Sequence, residues 1–198
     1  MAGVDRAFVA VYPPAAVLDA VDARLGAARR VAPDLRWSPR NQWHVTLRFI
    51  GRVADVDALS ARLGDAVAAL TPVEGLALAG AGAFPTARRG SVLWVGVADG
   101  PARDALGVLA AAVDAACGAA AVDADDLGAG LESEDRVFTP HCTVARARRP
   151  VDLRGAVDAI GPDPFGDPCS VTEVRLVASA ALPTGAVHTD LARFPFTP

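Results

Sequence analysis

Trp43-His44-Val45-Thr46-Leu47-Arg48-Phe49 alternates apolar and polar residues without a break. Residues two apart on a strand share a face. Trp43, Val45, Leu47 and Phe49 therefore read as a core face, and His44, Thr46 and Arg48 as a polar one. The chain has only three histidines in 198 residues, and a second one repeats the pattern in Phe138-Thr139-Pro140-His141-Cys142-Thr143-Val144-Ala145-Arg146. There His141 and Thr143 share one face, while Cys142 and Val144 turn to the core. Pro140 sits at the start of the strand, where a missing N–H is tolerated.

Outward from these two strands, the pattern alternates strands with helices. Arg6 to Tyr12 reads as a strand. Val17, Val21, Leu25 and Ala28 recur at helical spacing and predict a helix over 15–31. The first motif strand is expected over 42–50, stopped by Gly51. Val56, Leu59, Leu63, Val67 and Leu70 mark a second helix. Glu74–Ala83 and Ser91–Val97 read as two strands joined by a turn. Pro101 suits the first turn of a third helix, carried by Leu106, Leu109, Val113 and Cys117. Residues 122–135 hold six acids and no periodicity, and read as a solvated, mobile loop. The second motif strand is expected over 139–146, then a short helix over 152–160. Val171–Ala178 and Val187–Phe194 close the pattern as strands. Each half holds one His-x-Thr strand followed by a helix and a strand or two, which suggests two similar lobes.

Composition narrows the function classes. Just over half of the residues are hydrophobic, enough for a sizeable core. The formal net charge is −4, which argues against a broad surface for nucleic-acid backbone or anionic membrane, but not against a pocket for one phosphate. Cys117, Cys142 and Cys169 are odd in number, widely spaced and without a CxxC pattern, so reduced thiols in a cytoplasmic protein are expected. The N-terminal apolar run is cut by Pro13 and Pro14 and reads as a first strand, not a signal peptide. No apolar run is long enough to span a membrane.

Two such strands, one per lobe, can face each other across a cleft and bring two imidazoles and two hydroxyls into one small volume. Near neutral pH one imidazole can act as base and the other as acid. Hydroxyl and guanidinium donors hold non-bridging phosphate oxygens. The set suits phosphoester transfer without metal. A Cys–His nucleophile is excluded by parity, because Cys142 points away from its neighbour His141. Three histidines without clustered carboxylates make a poor metal site.

"NQWHVTLRFIG" and "FTPHCTVAR" resemble the paired motifs of the two-histidine phosphoesterases, and most closely those of the RNA 2′,3′-cyclic phosphodiesterases, also called 2′–5′ RNA ligases. "RAFVAVYPP", "GAFPTARRGSVLWVGV" and "VRLVASAALPTGAVHTDLARFPF" extend the resemblance over nearly the whole chain. It implies an α+β fold over residues 1–198 as one bilobal domain, with two antiparallel sheets, outer helices, a pseudo-two-fold axis and an active site in the central groove. It implies His44 and His141 as the catalytic pair, by analogy His141 as base for water and His44 as acid for the leaving oxygen. Thr46, Thr143 and Arg146 would bind phosphate. Arg146 has the wrong parity for the His141 face in an ideal strand, so a bulge, a strand end or a reach around the edge is required.

The implied reaction opens a 2′,3′-cyclic phosphate to a 2′-phosphate. Several members also join RNA ends reversibly through 2′–5′ linkages without a nucleotide cofactor. The implied partners are RNA 3′ ends bearing 2′,3′-cyclic phosphate or small cyclic nucleotides, met by a monomer with no metal or cofactor. A phosphate-binding module without turnover is the alternative reading. His188 stands where the family usually shows an aromatic, and reads as a local structural replacement. Trp37 and Trp94 read as core packing. Arg40, Arg48, Arg88, Arg89, Arg148 and Arg149 form either a basic rim or a solvated face.

Overall fold

A computed structural model describes residues 3–118, 138–182 and 185–196. In chain order its elements are β1 (Val4–Val11), α1 (Ala15–Val31), β2 (Arg36–Trp37), β3 (Val45–Val53), α2 (Val56–Ala68), β4 (Val73–Leu76), β5 (Leu78–Phe84), β6 (Gly90–Val97), α3 (Pro101–Cys117), β7 (His141–Val151), α4 (Arg154–Ile160), β8 (Cys169–Val171), β9 (Glu173–Leu182) and β10 (Gly185–Pro195). The expected acidic loop at 122–135 lies outside the described residues.

The expected α+β arrangement is present. The larger sheet has eight strands in the order β10-β9-β1-β3-β7-β6-β5, with β2 paired to β7. Its pairings are antiparallel throughout. The two halves, β10-β9-β1-β3 and β7-β6-β5, meet edge to edge, and each carries one motif strand. The second sheet is the small antiparallel pair β4-β8. Helices α1 and α4 pack together, with α4 against β5; α2 and α3 pack together, against β10 and β3 respectively.

The helices cover one face of the large sheet. Val17, Val21, Leu25, Leu59, Leu63, Leu106, Leu109 and Val113 form a continuous core there with Val9, Val11, Trp43, Val45, Leu93, Val95, Cys142 and Val144. The other face carries a separate cluster of Phe8, Ala10 and Val177, flanked by Tyr12 and Phe49. β1 is buried on both sides for this reason: Ala7, Val9 and Val11 meet the helices, and Phe8 and Ala10 meet the groove.

Two expected strands are each divided in the structure. Glu74–Ala83 breaks at Ala77 into β4 and β5, which lie in different sheets. Leu76 and Leu78 are both buried across the break, and Gly75 takes φ +72°, so the chain turns between two cores. Likewise Val171–Ala178 breaks at Thr172 between β8 and β9, with Val171 and Val174 both buried. Gly51, expected to end the first motif strand, instead lies within β3 at φ +73°, opposite Ala7 beside a register shift.

Trp94 corrects a further expectation. Its ring lies on the groove face, half-buried, not in the core. Gly82 and Gly96 give it room: a Cβ at Gly82 would run into the indole, and one at Gly96 would lie 3.3 Å from it and 2.9 Å from the Ala79 carbonyl. Trp37 does pack against the core, as expected. Gly82→Ala is expected to leave the chain folded with Trp94 displaced, at a cost of about 1–3 kcal/mol. Urea unfolding followed by tryptophan fluorescence checks this; an unchanged midpoint and spectrum would refute it.

Candidate active site

The site forms where the two halves join. β3 and β7 pair through one residue pair, Val45 with Cys142. Continuing that antiparallel register by one residue each way sets His44 across from Thr143 and Thr46 across from His141. All four side chains then face the groove, because Val45 and Cys142 are fully buried on the helix side.

Each imidazole is fixed the same way. His44 Nδ1 lies 2.6 Å from the Gln42 carbonyl and His141 Nδ1 lies 2.7 Å from the Thr139 carbonyl. A carbonyl only accepts, so Nδ1 carries the proton and donates in both rings. Nε2 is left with a lone pair when the ring is neutral and with a proton to give when it is charged. His44 begins just before β3, after a 3₁₀ turn at Arg40–Gln42, so the turn places the Gln42 carbonyl under the ring. The Gln42 amide in turn donates to the Ala186 carbonyl on β10.

Aromatic rings pack around both histidines. Phe8 stacks on His44 at 4.7 Å between centroids, and Tyr12 lies 5.5 Å away. Phe84 meets His141 edge-on at 4.9 Å, and Trp94 lies 5.9 Å away. His188, read from sequence as a replacement for an aromatic, takes an aromatic's place: it meets His44 edge-on at 5.4 Å and Phe8 at 5.0 Å.

This apolar packing sets the protonation states. Burial pushes His44 down from 6.5 to about 4, opposed by the Gln42 carbonyl and helped by the charges of His188, His141 and Arg146. Burial also lowers His141, opposed by the Thr139 carbonyl and helped by Arg146. Both rings are therefore neutral at pH 7 in the free protein. Cys142 is no nucleophile; complete burial lifts its thiol to about 12.

Bulges decide which face the later motif residues take. On β7, Leu93 pairs with Ala145 and Trp94 with Thr143, which leaves Val144 as an extra residue. Val144 and Ala145 are both buried, so Arg146 returns to the groove face. Its charge acts on both imidazoles. The bulge that parity demanded is thus present.

On β3, Val9 pairs with Arg48 and Ala10 with Thr46, which leaves Leu47 as the extra residue. This overturns two expectations. Arg48 does not join His44 and Thr46; it turns to α3 and pairs with Asp114 at 2.8 Å. Phe49 does not face the core; it turns to the groove, with its ring 6.0 Å from Phe8. Of the other expected rim arginines, Arg40 is bound to Asp19 at 2.6 Å and to the Ala15 carbonyl at 2.7 Å on α1. Arg88, Arg89, Arg148 and Arg149 are exposed. Among the described residues no three metal-ligating side chains cluster, and no helix is long and apolar enough to cross a membrane.

Phe8, Phe84 and Trp94 are site residues that pattern reading missed. Their strands carry apolar residues on both faces, so alternation alone does not say which face meets the helices.

Two motif strands paired in one antiparallel sheet, with carbonyl-held histidines converging on one groove, define a class of phosphoesterase fold. The sequence pattern of the 2'-5' RNA ligase superfamily matches residues 17–181, and the chain belongs to that superfamily. It is 26% identical to the RNA 2',3'-cyclic phosphodiesterase of Methanothermobacter thermautotrophicus over 193 residues, which cover 96% of this chain and 97% of the relative. It is 30% identical to the protein of that name from Aeropyrum pernix over 153 residues, 75% of this chain and 79% of the relative. The crystal structure of TT0787 of Thermus thermophilus matches with TM-score 0.72 and 26% identity, covering 96% of this chain and 97% of that one. E. coli LigT, in its complex with NADP+, matches with TM-score 0.67 and 25% identity, covering 98% and 99%.

The depressed His44 has a consequence for stability. Unfolded, a histidine titrates near 6.5; folded, His44 titrates near 4. Between these values the unfolded chain binds more protons, so stability falls as pH drops through that window and is full above it. Wild type is expected to lose roughly 1–3 kcal/mol more than His44→Gln between pH 7 and 4.5. Urea unfolding at the two pH values reads the difference; parallel losses would contradict the buried neutral ring.

Proposed function

We propose that this chain hydrolyses 2′,3′-cyclic phosphates at RNA 3′ ends or on small nucleotides to 2′-phosphates, with His44 and His141 as the acid/base pair. The observation that carries this reading is the matched anchoring of the two imidazoles: each is held at Nδ1 by a backbone carbonyl two residues earlier, leaving Nε2 to the groove. The names of the two phosphodiesterase relatives support the substrate class.

His141 Nε2 takes a proton from water as the water oxygen bonds to phosphorus. The bond from phosphorus to O3′ breaks, and His44 Nε2 gives its proton to O3′. The product carries a 2′-phosphomonoester and a 3′-hydroxyl; solvent exchange resets the pair. Thr46, Thr143 and Arg146 hold the non-bridging oxygens and offset their developing charge. The bound anion also opposes the burial that keeps His44 neutral, and so favours its proton-carrying form. In reverse the roles exchange: His44 takes the proton of the 3′-hydroxyl as O3′ bonds to phosphorus, His141 gives a proton to the departing oxygen, and water leaves. No step in this scheme needs a nucleotide cofactor.

Phosphorus NMR of the protein with 2′,3′-cyclic AMP and a short RNA ending in a cyclic phosphate, in EDTA, tests the reading. A 2′-phosphate should appear with wild type, and kcat should fall about 10²- to 10⁴-fold in His44→Ala or His141→Ala. Circular dichroism confirms that the variants fold. Folded wild type that binds phosphate but leaves both substrates intact would instead mark a binding module.

The pH profile is a separate prediction. Both histidines titrate below 6.5 in the free protein, so the singly protonated pair is depleted as pH rises. The maximum of kcat/KM is expected on the acid side of 6.5, with a decline toward pH 8. A maximum above pH 7.5 would remove the pair from these roles.

A further inference from the structure

The two-residue strand β2 sits where β3 leaves β7. The chain leading into β3 turns away from β7 in the 3₁₀ turn at Arg40–Gln42, and β2 takes that side of β7 with Arg36 opposite Arg146 and Trp37 opposite Ala145. The Ser38 amide extends the ladder to the Val144 carbonyl at 2.9 Å. Residues directly opposed on antiparallel strands share a face. Trp37 packs on the core and Ala145 is fully buried, so both face the helices. Arg36 and Arg146 therefore stand side by side on the groove face, beside the histidines.

Like charges directly opposed across a sheet destabilise it. Arg36 and Arg146 are both exposed to the groove, whereas the partly buried Arg40, Arg48, Arg103 and Arg175 are each offset by a carboxylate: Asp19, Asp114, Asp99, and Glu173 with Asp190. Neither Arg36 nor Arg146 forms an ion pair with a described residue. Two guanidinium groups facing each other in a groove are a receptor for anion.

The groove has two ways out from the histidines. Past Thr139 and Pro140 lies a cleft of about 240 Å³, lined by Ala79, Gly80, Trp94 and Gly96, where the arginine, Arg103, is held by Asp99. The opposite way runs along β7 to Arg146 and then Arg36, where no carboxylate among the described residues pairs with the positive charge. A strand whose last phosphate lies at the histidines meets matching charge for its next phosphate on that side.

We propose that Arg36 forms a second-phosphate subsite: with Arg146 on the terminal cyclic phosphate, Arg36 takes the internucleotide phosphodiester immediately 5′ of it. This rests on the function proposed above and adds a preference for RNA ends over mononucleotides.

The test compares wild type, Arg36→Gln and Arg36→Lys on 2′,3′-cyclic AMP and on the adenosine dinucleotide ending in a 2′,3′-cyclic phosphate. The readout is the ratio of kcat/KM for dinucleotide over mononucleotide. It is expected to fall roughly 10- to 100-fold in Arg36→Gln, through KM, and to recover in part in Arg36→Lys. The salt dependence of the dinucleotide KM should weaken by about one ion. An unchanged ratio overturns the subsite, whether both substrates suffer equally or neither does. If wild type turns over neither substrate, the phosphodiesterase reading fails, and titration calorimetry with adenosine 2′-phosphate and the dinucleotide 2′-phosphate decides Arg36 alone. An affinity gain from the second phosphate that Arg36→Gln abolishes supports the subsite; no gain in wild type refutes it.

Discussion

A single antiparallel residue pair, Val45 with Cys142, joins β3 to β7 where the two halves of the large sheet meet. Its two side chains are fully buried against the helices, which commits their neighbours to the opposite face. Everything chemical follows from that commitment. One register step away on either strand stand a histidine and a threonine, and the antiparallel direction sets each histidine against the other strand's threonine. The pairing is also short. The 3₁₀ turn before β3 supplies the carbonyl that fixes His44 and carries the chain off β7, and β2 fills the side of β7 left open there.

The two halves share a device as well as a motif. In each, the residue after the His-x-Thr triplet is bulged, Leu47 on β3 and Val144 on β7. A bulge shifts parity by one, so the fifth residue after each histidine returns to the groove. Those fifth residues are Phe49 and Arg146. The scaffold repeats while its chemistry differs: one half contributes an apolar wall and the other a cation.

The motif strands were readable because each His-x-Thr triplet alternates with buried neighbours and Pro140 marks where β7 starts. The helices were readable because a stripe of apolar residues at helical spacing has one meaning; α1 spans the expected 15–31. The failures have a common cause. At Ala77 and Thr172 the chain changes sheets within a short stretch that has buried apolar residues on both sides, so the pattern reads on as one strand. At Leu47 a bulge reverses the faces, and period-two reading from His44 then assigns Arg48 and Phe49 to the wrong sides. The required bulge beside Arg146 was inferred only because a resemblance demanded that arginine at the site. Arg36 escaped notice because a two-residue strand has no periodicity to detect, and its position has meaning only beside its cross-strand neighbour.

The pairing of Phe49 with Arg146 across the pseudo-two-fold axis has one more consequence. A visitor placed on that axis finds an imidazole to either side and yet lies in a field with a direction, because Arg146 stands where the other half has Phe49. Turning the visitor end for end moves its negative charge from beside a guanidinium to beside a benzene ring. The groove's matched motifs are blind to head and tail, and this residue difference gives the groove a polarity.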